Sequence, residues 1–179
     1  MIYLEAIFWM FVFVFAIIGT IRGWAKELLV TFAVILALFI LAVLQQFVPF
    51  IREAVITAEK SDPQPVFWAR TLLLLGLVFF GYQGPNIARL AGSNKFVREK
   101  LQDSLLGLFL GAVNGYLVIG TLWYFLDKAR YPFPELIVST LSSTAKEMIF
   151  FLPPTWLWGT PTIYFAVAIA FAFVLVVFL

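Results

Sequence analysis

Cysteine and histidine are both absent from this chain of 179 residues. Disulfides, thiol nucleophiles, imidazole general bases, Cys/His metal sites and histidine ligation of haem or of a chlorophyll magnesium are therefore excluded. Charge is scarce too, at 12% of residues, where soluble domains carry roughly a quarter. The net charge of +2 is small and dispersed, so the electrostatic footprint of a nucleic-acid binder is missing. Neither a basic n-region nor a small-residue cleavage site precedes Arg22, and the first apolar run reads as a retained span rather than a removed signal peptide. No acid/base pair, nucleophile constellation or phosphate-binding glycine loop stands in the sequence. An enzyme is not expected, and neither is a metal or another cofactor.

What the chain does contain is apolar. Hydrophobic residues make up 63% and aromatics 18%, with a mean hydropathy of +1.01. These values predict an all-α integral membrane protein with the lipid bilayer as its first partner. Several uncharged runs match the roughly 17 to 25 residues that a bilayer-spanning helix needs. Ala6 to Ile21 is the first, bounded by Glu5 and by a tight connection through Arg22, Gly23, Trp24, Lys26 and Glu27. Leu28 to Ile51 is the second, closing at Pro49; the stretch from Arg52 to Arg70, with Glu53, Glu59, Lys60, Asp62, Pro63 and Pro65, reads as a polar loop. Thr71 to Ala88 is the third span, and a basic connection with Arg89, Lys95, Arg98 and Lys100 leads to the fourth, Asp103 to Asp127. Next, Leu136 to Leu152 places Ile137, Leu141, Ala145, Met148 and Leu152 on one helical face and Ser139, Ser142, Ser143, Lys146 and Glu147 mainly opposite, an interfacial amphipathic pattern. Pro153 and Pro154 are expected to stop that helix, and Thr160 to Leu179 to form a fifth, C-terminal transmembrane helix. Two units follow: a transmembrane domain over residues 1–152 and a C-terminal extension over 153–179. Trp9, Trp24, Trp68, Trp123, Tyr124, Trp156 and Trp158 lie mostly at the ends of these runs, as interfacial aromatics do.

The fourth span organises the rest. Glycine recurs in it at Gly107, Gly111 and Gly115. At about 100° per residue, with Gly107 as zero, Gly111 falls near ~+40°, Gly115 near ~+80°, Asn114 near ~−20°, and Asp103 and Thr121 near ~−40°. One side of this helix is small and polar, which is how helices approach each other in lipid. Gly107, Gly111, Asn114 and Gly115 are thus candidate helix-packing residues, with Gly19 and Gly23 at the end of the first span; packing inside the chain is favoured over packing on another protein. Gly120 lies about 220° from Gly107, and Gly120→Leu is expected to be milder than Gly111→Leu. Arg22, Lys26, Glu27 and Asp103 form an interfacial charge motif, in which Arg22, Lys26 and Glu27 are either a recognition site for lipid headgroups or a partner, or charges snorkelling at a span end, the second reading being favoured. Asn114, Gln83 and Asn86 either line a solute path or form interhelical hydrogen bonds, and the second reading is the simpler. No acidic or basic residue is expected well inside a span, which argues against an ion-driven transporter. The short, densely basic first and third connections place those loops in the cytoplasm and the N-terminus outside.

Two stretches together resemble a known family. Gly19-Thr-Ile-Arg22-Gly23-Trp-Ala-Lys26-Glu27 is similar to the G-x-x-R-G-aromatic-x-R/K-E signature of the colicin V production protein family. Asp103-x-x-Leu106-Gly107-x-x-x-Gly111-x-x-x-Gly115, followed by an apolar run ending in Phe125-Leu126-Asp127, resembles the family's later signature. The serine-bearing segment around Ser139 to Ser143 also resembles the family. The likeness covers roughly residues 1 to 150. The chain departs from the pattern at Asn114, where a basic residue often precedes the last glycine, and in its Pro-bounded fifth helix. The resemblance implies a small multi-pass protein of the bacterial inner membrane, serving toxin production or export or another envelope process without enzymatic activity. The rival reading is a structural accessory subunit of a large membrane complex, such as a photosynthetic or respiratory assembly, with other membrane proteins as partners; the added C-terminal helix motivates it.

Overall fold

The computed structural model describes residues 3–83, 97–133 and 142–178, which form eight helices and no strand. In chain order these are α1 (Leu4–Arg22), α2 (Trp24–Phe47), α3 (Pro49–Ser61), α4 (Gln64–Tyr82), α5 (Val97–Lys128), α6 (Ser143–Ile149), α7 (Pro153–Leu157) and α8 (Thr162–Phe178). Helices α1, α2 and α4, with α5 from Lys100 to Lys128, are long and apolar enough to cross a membrane. The segments Ser143–Leu157 and Thr162–Val177, bent by 69° at a short break, give a fifth span when taken together. The chain is an all-α multi-pass membrane protein, as the composition predicts.

The junctions follow from single residues. Gly23 separates α1 from α2 with φ 83°, a region open to glycine and costly for side chains. It leaves only one residue between the helices. At the far end of α2, Val48 is extended with φ −111° and ψ 97°, the conformation preferred before proline, and Pro49 opens α3 at a position where its missing N–H costs nothing. The polar loop expected over 52–70 is thus a helix and a turn. Its proline, glutamates and lysine look like loop composition, but Ile51, Ala54, Val55 and Ala58 recur at helical spacing and turn towards α4. The third span also starts earlier than its apolar run: α4 begins at Gln64, whose N–H donates to Asp62 Oδ1 at 3.1 Å, and Pro65 sits in its first turn. Arg70 and Thr71 are therefore buried within a span instead of bounding it. Residues 84–96 and 134–141, which hold Asn86, Arg89, Lys95, Ile137 and Ser139, lie outside the described residues.

Val34 and Leu38 of α2, Leu74 of α4, Leu117, Val118 and Phe125 of α5, Leu157 of α7 and Ile163 of α8 share one buried core. A smaller cluster joins Phe8, Trp123, Ala145 and Leu152. Of the amphipathic helix expected over 136–152, the described residues hold α6, Ser143–Ile149. Ser142 caps α6 by accepting from the Ala145 N–H at 3.0 Å and donates to Glu5 Oε1 at 2.7 Å, docking α6 on the start of α1. Ala145 faces inward, Lys146 and Glu147 outward. The helix ends at Ile149, before the prolines; Pro153 starts α7 and packs on Gly120.

Candidate functional site

The glycine face of α5 meets α1. A Cβ placed on Gly107 would run into the Gly19 carbonyl oxygen, and one on Gly19 into the Gly107 carbonyl oxygen. On Gly111 it would lie 3.0 Å from Gly19 Cα and 3.1 Å from Ala16 Cα, and on Gly115 2.8 Å from Val12 Cα. Real Cβ atoms do not fit at such distances, so the two backbones are in direct contact over about two turns. Gly23 extends the seam. A Cβ there would stand 2.8 Å from Asp103 Oδ2, and Asp103 Oδ1 accepts the Trp24 N–H at 3.3 Å. Asp103 thus supplies from α5 the acceptor that the first turn of α2 lacks locally, and the carboxylate sits at the positive end of that helix.

Behind the seam lies a buried polar cluster. Because the break at Gly23 is one residue long, Glu27 is not a surface charge of a connecting loop; it stands one turn inside α2 and is fully buried. Arg22 Nη1 donates to Glu27 Oε1 at 3.0 Å, and Asn114 Nδ2 donates to Glu27 Oε2 and to the Glu27 carbonyl oxygen, each at 2.8 Å. Thr31 Oγ1 donates to Asn114 Oδ1 at 2.7 Å. Arg22 Nη2 donates to the Tyr82 carbonyl oxygen at 3.0 Å, and the guanidinium lies 4.2 Å from the Tyr82 ring centre. One cluster therefore ties the end of α1, the start of α2, the end of α4 and the middle of α5. A lone carboxylate in lipid costs several kcal/mol; pairing and hydrogen bonds offset that penalty here.

The residues singled out in the sequence thus assemble unequally. Gly19, Gly23, Gly107, Gly111, Asn114, Gly115, Arg22, Glu27 and Asp103 converge on this seam and cluster, while Lys26 is half-buried on the first turn of α2 outside the hydrogen-bonded set. One expectation fails. Glu27 and Arg70 are ionisable residues inside spans, where none was expected, because α2 and α4 each begin before their uncharged runs do. Gly120 does face away from α1, but the face is closed: a Cβ there would be 2.6 Å from Pro153 Cδ. Thr31 and Tyr82 are the members that sequence reasoning missed. Thr31 had a signal, one turn beyond Glu27 on the same face.

The model of the family described as colicin V production protein matches residues 4–149. The chain belongs to the colicin V production protein family. Searches of curated proteins and of solved structures each gave no match. The two stretches that resemble the family's signatures, Gly19 to Glu27 and Asp103 to Gly115, fall inside the matched region, and in space they are the two sides of one interface.

Proposed function

We propose that this member of the colicin V production protein family is a non-enzymatic protein of the bacterial inner membrane, serving toxin production or export or a related envelope process. It acts through helix packing, as a preassembled bundle that partner membrane proteins recognise. The observation that carries this reading is the state of Glu27. Among the described residues it is the fully buried carboxylate, and both its oxygens accept hydrogen bonds, from Arg22 and from Asn114. A carboxylate so committed supports a structural joint better than a proton donor or acceptor in catalysis.

The test is complementation of a deletion strain that secretes colicin V, with Glu27→Gln and Gly111→Leu. Glutamine keeps an acceptor for Arg22 and removes the charge, so the folded variant is expected to restore secretion. Loss of secretion by a Glu27→Gln protein that is still folded and present at the normal level would overturn the packing reading in favour of acid/base chemistry. A second reading, the accessory subunit of a large membrane complex, draws on an apolar groove of about 510 Å³ between α2, α5 and α8, lined among others by Phe32, Ile35, Val113, Ile169 and Phe173. Gentle solubilisation of native membranes separates the two, since a subunit migrates with its complex and a free bundle as a small species.

A further inference from the structure

At the opposite end of the bundle, where α2 and α5 finish and α4 begins, Arg70 lines two neighbouring spaces. One is a cavity of about 510 Å³ lined by Gln45, Glu59, Arg70, Lys128 and Trp158, among others. The other is an apolar groove of about 340 Å³ between α3 and α4, with Ile51, Val55, Val66 and Leu73 on its walls; Gln45 and Arg70 line both. Arg70 is only 7% exposed. Its Nη2 donates to Glu59 Oε1 at 2.8 Å, its guanidinium faces the Trp158 ring at 5.2 Å, and its buried Nε has no hydrogen-bond partner among the described residues. Unspent donors on a buried guanidinium are costly unless something accepts from them. Lys128, over the Tyr124 ring at 5.2 Å, brings a second cation to the same cavity. With Glu59 as the charged counterweight, the lining carries one positive charge in excess.

We propose that this pair of spaces binds an anionic phospholipid, its singly charged phosphodiester headgroup between Arg70 and Lys128 and an acyl chain along the α3–α4 groove. Three features converge on that occupant. The excess charge matches one phosphodiester, a guanidinium with a free donor suits phosphate oxygens, and the polar cavity shares Gln45 and Arg70 with a groove whose lining has no other charge. Tyr124 and Trp158 beside the cavity place it at headgroup depth. The site is independent of the glycine seam and of the function proposed above.

The test is thermal unfolding of the purified full chain in a neutral detergent, titrated with phosphatidylglycerol, phosphatidylcholine or inorganic phosphate. Phosphatidylglycerol is expected to raise Tm saturably, and the other two to leave it unchanged. Lys128→Gln, at an exposed position, is expected to weaken the phosphatidylglycerol response about fivefold, the size of one lysine facing an anionic headgroup; Lys146→Gln on α6 should leave it as in the parent. Val55→Trp, which fills the groove and keeps both cations, is expected to abolish the response. Equal responses to phosphatidylglycerol and phosphatidylcholine, or an unchanged response in Lys128→Gln, would overturn the proposal. A full response to inorganic phosphate, or one indifferent to Val55→Trp, would reduce the site to an anion pocket and overturn it as a lipid site. Arg70→Gln adds a further loss where that variant folds, but Lys128→Gln decides without it.

Discussion

Arg22 and Arg70 are both arginines drawn into the bundle, and they are held in opposite ways. Arg22 pairs with a carboxylate that is itself fully buried, spends a second donor on the Tyr82 carbonyl oxygen and lies against the Tyr82 ring. The glycine seam behind it brings backbone against backbone. Arg70 pairs with a carboxylate that is 39% exposed, keeps an unpartnered Nε and lines two spaces. Two like charges, with side chains 18% and 8% exposed, therefore differ in what surrounds them. A cluster whose buried carboxylate is partnered at both oxygens does structural work, even with the Tyr82 hydroxyl left over, whereas a guanidinium with donors to spare beside open space is built to take something up.

The seam is where that contrast breaks most completely. Gly111→Leu drives a branched side chain into Gly19 Cα and the Phe15 carbonyl oxygen, neither of which can move aside as a side chain would. The expected cost is ~3 kcal/mol or more, seen as loss of the monodisperse species in fluorescence-detected size exclusion. Gly76→Leu, at a glycine of α4 with nothing within 4 Å of the added Cβ, should elute as the parent does. Equal losses from both would mean that backbone contact is not what holds α1 to α5.

Next in size is the comparison of the arginines themselves. Arg22→Met leaves Glu27 buried without its cation, a loss expected at ~3–5 kcal/mol. Arg70→Met leaves Glu59, which reaches water, and should cost ~1 kcal/mol or less. Thermal unfolding of the two variants in the same detergent measures the difference. A Tm for Arg22→Met at or above that of Arg70→Met would show that the Glu27 cluster is no more closed than the Arg70 cavity.

Much of this was legible in the sequence. Membrane spans follow from the bilayer's own length scale, and the face that α5 turns to α1 follows from the helical repeat applied to Gly107, Gly111 and Gly115. Less legible were features that depend on where a helix starts. Glu27 looks like a surface charge until Gly23 is known to be the whole of the turn, and Arg70 looks like loop until Pro65 is known to open α4. Helix α3 was hidden by a composition that turns and amphipathic helices share. Gly120 shows a different gap: its angle on the wheel was right, yet an angle says which neighbour a residue avoids and not which one covers it, here Pro153. The bond from Thr31 to Asn114 joins residues 83 apart in the chain, and no local pattern reaches that far.

That bond also gives the smallest and sharpest test of the closed side. Asn114 Nδ2 serves Glu27 twice, and Thr31 fixes the amide by donating to its Oδ1. If the cluster is one rigid unit, Thr31→Val and Asn114→Leu should each destabilise, and together cost less than their sum, because the second removal finds the bond already gone. The coupling expected of one interhelical hydrogen bond in a membrane is ~0.6 kcal/mol, rising to ~1.7 kcal/mol at most. Chemical unfolding of the parent, the two single variants and the double variant measures it. A coupling below ~0.3 kcal/mol would mean that the amide does not depend on Thr31, and the closed character of this side would then rest on the arginine pair and the glycine seam alone.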